Sequence, residues 1–593
     1  MRKLALILVM CIAASLFACA VGETAWDVKV IPEGPDSRTV RVELPGMDRL
    51  SNNYHGDRVK LIFQMSYDRN VIQEESRIVE LSEFDDENSY TMELPYFGKW
   101  MFTAEYMTGD VIIKREKNIP VNLGVTKVNF IDGVATTDVL IEALKWFTED
   151  GSMDTSIPTI VNINRYRAFD YENLPENMYT NPLMTDAQIH SNVGYWVRAD
   201  WTKQYVKELL EINPDTYFNF YVSDIHLRLL APICYYNRIP DGQYSITLVT
   251  DGSATYTVFR DIYNGENGFE MHENYIREFE EFRASLRDGS LPNYEDRYFI
   301  RRYIYALLDV EEAHGNPARW WVVRKSGDTF GLPDEEFQAK VLADTRITSN
   351  YINNLLSAVS AAGNDEGFKQ LYSFDDEIFG SARSEGKKLM MFIGTSAALE
   401  KTYPPFDYMQ FLITYFGDEY AYYYKGHPGN YTLDSESVQQ PYKDMGVSML
   451  DASIAAELFM YFNPDICVAG YESTLYQNIG DVEQDVALFR RTYETAMETT
   501  NLAFYADKMD IFIADMNDTE DTFTFAGNEK ALKVLEAALK AVPEDEAGDR
   551  NYLVEFNNAD RQVNEYDYAI WNASKGVIRY LAGSVEEGLS PVE

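Results

Sequence analysis

The sequence predicts a multidomain chain in which an N-terminal all-β immunoglobulin-like sandwich precedes two Rossmann-like α/β domains. Three observations predict it. Residues from about 26 to 121 hold short, mostly alternating apolar segments separated by turn formers. From about Val125 the grammar changes to strands followed by helices. The same alternation is repeated in the second half, from Leu389 onward. At 593 residues the chain can hold several domains of ~150 residues each.

The β-rich part reads as Val28/Val30, Val40/Val42/Leu44, Val59/Leu61/Phe63/Met65, Ile78/Leu81, Met92/Leu94 and Phe102/Ala104/Tyr106. Turn formers such as Pro35-Asp36-Ser37, Asn52-Asn53 and Thr108-Gly109-Asp110 separate these segments. Such spacing suits an immunoglobulin-like sandwich over residues 24–122. It carries no catalytic cluster, so a spacer or docking module is expected.

The first α/β domain is expected over 125–295. Val128 to Ile131, Thr159 to Ile163, Tyr217 to Val222 and Ser245 to Thr250 read as strands. Thr137 to Phe147, Trp201 to Leu210, His226 to Tyr236 and Asn274 to Leu286 read as helices. The Gly, Ser, Pro and Asn content between Asp288 and Tyr294 marks the expected boundary. The second domain is expected over 296–545, with strands Leu389 to Ile393, Tyr420 to Tyr424, Ile466 to Ala469, Leu502 to Tyr505 and Ile511 to Ile513. A helix carrying Glu457 follows Asp451-Ala452-Ser453, and residues 546–593 form a C-terminal segment of uncertain packing.

Arg2 and Lys3 followed by the apolar run Leu4 to Ala18 form a signal peptide within residues 1–20. Leu16-Phe17-Ala18-Cys19 resembles a lipobox with lipidation at Cys19, while Ala18-Cys19-Ala20 also satisfies the small-x-small rule of ordinary processing. Both readings make the protein exported, periplasmic or at the surface, the first as a membrane-anchored lipoprotein. Membrane association through that N-terminal lipid is the most that is expected. Beyond the leader only Cys234 and Cys467 remain, both in apolar runs, which reads as buried thiols. The net charge of −43 argues against nucleic acid or an anionic membrane as a general partner, because both would be repelled. An anionic substrate then needs local cations, which makes Lys425 and His427 conspicuous.

Those two residues lie in Tyr422-Tyr423-Tyr424-Lys425-Gly426-His427-Pro428, a β-rich run ending in a cation, a glycine, an imidazole and a proline. Open α/β sheets bind ligands at the carboxyl ends of their strands. Ser473-Thr474, after the run Ile466 to Gly470, offers two hydroxyls at another strand end, where they serve equally to cap a helix. Upstream, the strand ending at Thr250 leads into Asp251-Gly252-Ser253. Asp-Gly alone is most often a turn; its functional reading is a general base facing a cleft. His226 follows Ser223-Asp224, as a residue bonded within the fold or as one lining the cleft. Glu457, on a helix, would ordinarily face solvent. One half of the chain thus offers a carboxylate and the other groups suited to an anion, which suggests group transfer from a phosphate-bearing donor. There is no P-loop, zinc signature, nucleophile elbow or Asp-x-Asp, so no metal and no bound cofactor is implied.

Taken in order, these pieces resemble the bacterial GT-B sialyltransferases of glycosyltransferase family 80, in which two Rossmann-like halves face each other across a cleft. His226-Leu-Arg-Leu-Leu-Ala-Pro232 and Thr250-Asp251-Gly252-Ser253 resemble the family's histidine-bearing helix and Asp-Asp-Gly-Ser motif. Lys425-Gly426-His427-Pro428 matches its Lys-Gly-His-Pro motif at every position, and Ser473-Thr474-Leu475-Tyr476 resembles its Ser-Ser-Leu-Tyr. The resemblance covers about residues 125 to 480, and some members carry an N-terminal immunoglobulin-like domain. Thr250 departs from the first aspartate of the family pair, Thr474 replaces a serine, and Gly429-Asn430 follows the proline where some members have a basic residue.

The resemblance implies inverting transfer of sialic acid from CMP-sialic acid, a co-substrate, to a hydroxyl of a galactoside-terminated glycan. Asp251 would be the general base and His427 the donor to the departing phosphate. Lys425, Gly426, Pro428, Glu457, Ser473 and Thr474 would bind CMP, with Glu457 on the ribose. His226, Gly252 and Ser253 would line the substrate cleft. Two alternatives stay open: transfer of another CMP-activated ulosonic acid such as Kdo, and an inactive surface glycan-binding lipoprotein of the same fold.

Overall fold

The computed structural model describes residues 28–45, 47, 55–133, 136–163, 169–183, 194–225, 230–291, 301–323, 330–402, 405–471 and 475, together with seven strands further on. The leader with Cys19, the residues His226, Ser473 and Thr474, and the expected strand Leu502 to Tyr505 lie outside the described residues.

The N-terminal strands are β1 (Lys29–Pro32), β2 (Thr39–Glu43), β3 (Arg58–Tyr67), β4 (Asn70–Glu80), β5 (Ser89–Glu93), β6 (Gly98–Thr108) and β7 (Val111–Leu123). They form two antiparallel sheets, ordered β1-β2-β5 and β4-β3-β6-β7. Alternation decides which side is buried. In β3, Val59, Leu61, Phe63 and Met65 point inward while the residues between them stay partly exposed. Val40 and Val42 of the first sheet and Trp100 and Phe102 of the second share one hydrophobic cluster. That cluster continues into the next unit through Phe130, Trp201 and Tyr205. Tyr205 donates its hydroxyl to the Phe97 carbonyl at 3.0 Å, and Tyr96 donates to Thr180 O at 2.8 Å. The β module is therefore packed onto its neighbour through buried tyrosines.

The first α/β unit has seven parallel strands: β8 (Lys127–Gly133), β9 (Thr159–Ile163), β10 (Met178–Thr180), β11 (Tyr217–Ser223), β12 (Tyr244–Val249), β13 (Ala318–Val322) and β14 (Ile347–Ser349). Their spatial order is β10-β9-β8-β11-β12-β13-β14. The second sheet has β15 (Lys388–Ile393), β16 (Tyr420–Lys425), β17 (Val447–Leu450), β18 (Cys467–Tyr471), β19 (Ala487–Arg490) and β20 (Ile511–Ala514), all parallel, in the order β17-β16-β15-β18-β19-β20. Counted within each unit, both sheets follow the doubly wound order 3-2-1-4-5-6, the first with one strand more. Two Rossmann-like sheets are thus present, as the alternation predicts. A second hydrophobic cluster joins them, running from Ile131, Val249 and Trp321 to Leu389, Met391 and Leu450.

Two expected boundaries move. The first sheet does not stop at 295: β13 pairs with β12, and β14 with β13. The Gly/Ser/Pro/Asn stretch after Asp288 instead begins with the cap of helix Gly268–Asp288, where Gly289 takes a left-handed φ of 84°. The change of sheet falls between Ser349 and Lys388. At the other end, β21 (Thr522–Ala526), β22 (Asn551–Glu555), β23 (Tyr568–Asn572), β24 (Gly576–Ala582) and β25 (Ser590–Pro591) form one mixed sheet, which crosses the expected boundary at 545. Cys234 and Cys467 are both buried, and neither forms a disulfide among the described residues. Among the described residues no helix is long and apolar enough to cross a membrane.

Candidate active site

β11 and β12 lie side by side in register, Ser223 opposite Val249, so both reach the carboxyl edge of the first sheet together. β11 delivers Asp224 there, and β12 delivers Thr250-Asp251. Thr250 is fully buried and its N–H still pairs with the Trp321 carbonyl at 3.0 Å, so the chain leaves the sheet at Asp251. Gly252 makes that exit with φ +95° and caps helix Ser253–Ile262. A residue with a Cβ would be strained in this conformation. Asp251 itself is partly exposed. Ser253 opens the helix, and its side chain lies outside the described residues.

Beneath this turn is a carboxylate not singled out from the sequence. Asp224 is fully buried. It accepts from Trp320 Nε1 at 2.9 Å and from the Thr255 hydroxyl, which is 2.9 Å from each of its oxygens. It also accepts from the Asp251 N–H at 3.2 Å. Burial pushes its carboxyl up to about 7, against the opposing pull of these hydrogen bonds.

The second sheet presents the other half. β16 ends at Lys425, whose carbonyl accepts from Gly394 N at 2.9 Å, holding the ends of β15 and β16 together. Lys425 is buried and turned into the fold, donating to Gly426 O at 2.8 Å and to Ala452 O at 2.9 Å. Burial lowers its ammonium to about 8, offset in part by Glu457 and Asp451. Glu457, on helix Ala456–Phe462, is buried rather than solvent-facing, and burial raises its carboxyl while its own backbone N–H and Lys425 act in the other direction. Each of the two thus relieves part of the desolvation of the other.

His427 is carried on the loop that these contacts hold. The Gly429 N–H donates to its Nδ1 at 3.0 Å, and Asn430 N donates to the His427 carbonyl at 2.8 Å. Pro428 is buried in the same turn. Glu400, on helix Ala397–Thr402, ties the loop to the sheet, accepting from Thr395 N at 2.8 Å, Tyr424 OH at 2.6 Å and Asn430 Nδ2 at 2.7 Å. It too was missed in the sequence, and burial raises its carboxyl. At the end of β18, Gly470 has φ +145°, and a Cβ there would sit 2.4 Å from the Ile393 carbonyl oxygen. Only glycine lets β18 close on β15 at the switch point, where doubly wound sheets bind ligands.

The structure therefore gathers Lys425, Gly426, His427, Pro428 and Glu457 at the carboxyl edge of one sheet, and Asp251, Gly252 and Ser253 at that of the other. Among the described residues no group of His, Cys, Asp and Glu is arranged to hold a metal ion.

Among solved structures, the chain is similar to bacterial sialyltransferases. A 2,6-sialyltransferase from Photobacterium sp. JT-ISH-224, solved with CMP and lactose, matches at 15% identity over 75% of this chain and 87% of its own, with a TM-score of 0.46. An α/β-galactoside α-2,3-sialyltransferase from Photobacterium phosphoreum matches at 14% identity over 65% and 95%, also at 0.46. The UDP complex of S. aureus MnaA matches at 11% identity over 71% and 89%, with a TM-score of 0.35. No family model matches the chain, and no curated protein does.

Proposed function

We propose that the chain is a GT-B glycosyltransferase that moves sialic acid, with inversion, from CMP-sialic acid to a galactoside hydroxyl. One observation carries the reading: Lys425-Gly426-His427-Pro428 stands at the carboxyl end of a parallel strand one place from the switch point, with Nδ1 of His427 engaged by Gly429. A backbone N–H can only donate, so in the neutral ring Nδ1 holds the lone pair and Nε2 the proton. The histidine is thereby set as a hydrogen-bond donor, as a departing phosphate requires.

In this reading Asp251 takes the acceptor proton as the hydroxyl oxygen bonds to the anomeric carbon. The bond from that carbon to the CMP phosphate oxygen breaks, and its electron pair leaves with CMP. His427 Nε2–H stabilises the growing phosphate charge, with Ser473 and Thr474 adding hydrogen bonds. A charge-assisted bond contributes ~1.5–3 kcal/mol, of which only the part strengthened in the transition state speeds the reaction. Glu457 holds the ribose hydroxyls. Lys425, with two donors on backbone carbonyls, shapes the loop and supplies positive charge behind the nucleotide. His226 lines the cleft near sugar or acceptor, and no metal takes part. The β1-β2-β5 and β4-β3-β6-β7 sheets support an immunoglobulin-like module, and the leader supports export with lipidation at Cys19.

Export also favours a second reading, a surface glycan-binding lipoprotein, because CMP-sugars are made in the cytoplasm. Alanine at Asp251 and at His427 separates the two. An enzyme loses turnover of CMP-Neu5Ac with lactose in both variants. A binding protein has no turnover to lose and keeps its glycan affinity. A chain that turns over CMP-Kdo but not CMP-Neu5Ac overturns the sialyl assignment.

A further inference from the structure

Resting on that reading, we infer that Asp224 is a positioning residue for the proposed base, holding the Asp251 turn in its working geometry through Thr255 and Trp320. The observation is a closed set of bonds around one buried carboxylate. The Asp251 N–H is shared between Asp224 Oδ1 at 3.2 Å and Thr255 Oγ1 at 3.0 Å. The Thr255 hydroxyl, having accepted there, donates its own hydrogen to Asp224. Trp320 Nε1 donates to Oδ2 at 2.9 Å. Four segments thus meet at one side chain: the end of β11, the end of β12, the first turn of helix Ser253–Ile262, and β13.

The direction of these bonds explains why a carboxylate stands there. The donors facing Asp224, from Trp320, Thr255, the Asp251 N–H and the Ile225 N–H, all need acceptors, and a carboxylate offers acceptors on both oxygens. An asparagine offers one oxygen and one NH2 group. Turned to serve Asp251 and Thr255, it would point that NH2 at the Trp320 N–H. Turned the other way, it would leave the Asp251 turn facing a donor. Burying a carboxylate is costly, and Asp224 is fully buried. The arrangement fixes the backbone of the residue whose side chain must meet the acceptor, and displacement of a reacting group by about 1 Å costs on the order of 100-fold in rate.

The test compares wild type, Asp224→Asn, Trp320→Phe and the double variant, each checked for folding by circular dichroism and thermal melting. Turnover of CMP-Neu5Ac and lactose is read beside hydrogen exchange of the Asp251 amide without substrate. Asp224→Asn is expected to lose 10- to 100-fold in kcat with little change in KM for the donor, which binds to the other sheet, and to lose protection at Asp251. Removing the competing indole N–H should restore part of kcat and of the protection in the double variant, because the asparagine oxygen is then free to serve Asp251 and Thr255. Unchanged kcat and unchanged exchange in a folded Asp224→Asn protein overturn the inference. So does a loss of rate that merely follows melting temperature and is not rescued by Trp320→Phe. If wild type has no turnover, the proposed function falls instead, and the exchange measurement still decides whether Asp224 holds Asp251.

Discussion

Gly429 donates its backbone N–H to Nδ1 of His427 at 3.0 Å, which leaves the ring proton of the neutral imidazole on Nε2. The contact is short-range and comes from the turn that Pro428 initiates, so the loop sets the tautomer of its own histidine. His427→Ala should lower kcat by roughly 10- to 150-fold, the equivalent of one charge-assisted hydrogen bond. His427→Gln, whose amide nitrogen reaches about as far as Nε2, should retain more activity than alanine. Steady-state kinetics of the two variants check this, and equal losses would contradict the donor role.

Glu400 should matter to donor binding without touching the base. Its carboxylate serves three donors, from Thr395, Tyr424 and Asn430. Glu400→Gln would turn an NH2 toward one of them, at a cost of ~1–3 kcal/mol for the unsatisfied group. The expected result is a lower melting temperature and weaker CMP binding by calorimetry, with lactose affinity unchanged.

Gly470→Ala places a Cβ 2.4 Å from the Ile393 carbonyl oxygen and strains a φ of +145°. The neighbour is backbone and cannot rotate away, so β18 must separate from β15. Loss of CMP binding is expected together with marked thermal destabilisation. The same change at Gly386, where nothing lies within 4 Å and φ is +73°, should show only the backbone strain.

The buried carboxyl of Asp224 gives a pH signature. Its folded value of about 7 lies above the unfolded carboxylate value, so between those two the folded state binds the extra proton. Its contribution to stability is therefore greatest at low pH and falls as pH rises through about 4 to 7, by roughly 4 kcal/mol at most. Melting temperatures of wild type relative to Asp224→Asn should decline across this window and level off above it. A difference independent of pH would contradict the shift.

The fold was legible where apolar strands met clear turn formers. β8, β9, β11, β12, β15 and β16 fall within a residue or two of their expected ends, because buried parallel strands read as near-continuous apolar runs, interrupted here only by isolated polar residues such as Asn129, Asn162 and Asn219. β13 and β14 were not foreseen, since the Gly289 helix cap carries the same residue types as a linker. The Lys-Gly-His-Pro loop could be read because its chemistry is contiguous. Asp224 could not, because its partners Thr255 and Trp320 lie 31 and 96 residues away and only the β11-β12-β13 register brings them together. Its one local signal was an acid directly after an apolar strand. The burial of Glu457 could not be read from the sequence, where a carboxylate on a helix ordinarily faces solvent, because a short helix says nothing of the lysine across the strand end that makes its burial tolerable.

The most direct measurement is transfer itself. The protein is incubated with CMP-Neu5Ac and lactose in EDTA, beside Asp251→Ala, and sialyllactose is followed by mass spectrometry. The account predicts product from wild type and none from the variant while the variant still binds CMP. Product from both would remove Asp251 as the base, and failure of wild type to bind the donor at all would contradict the assignment of the chain as a sialyltransferase.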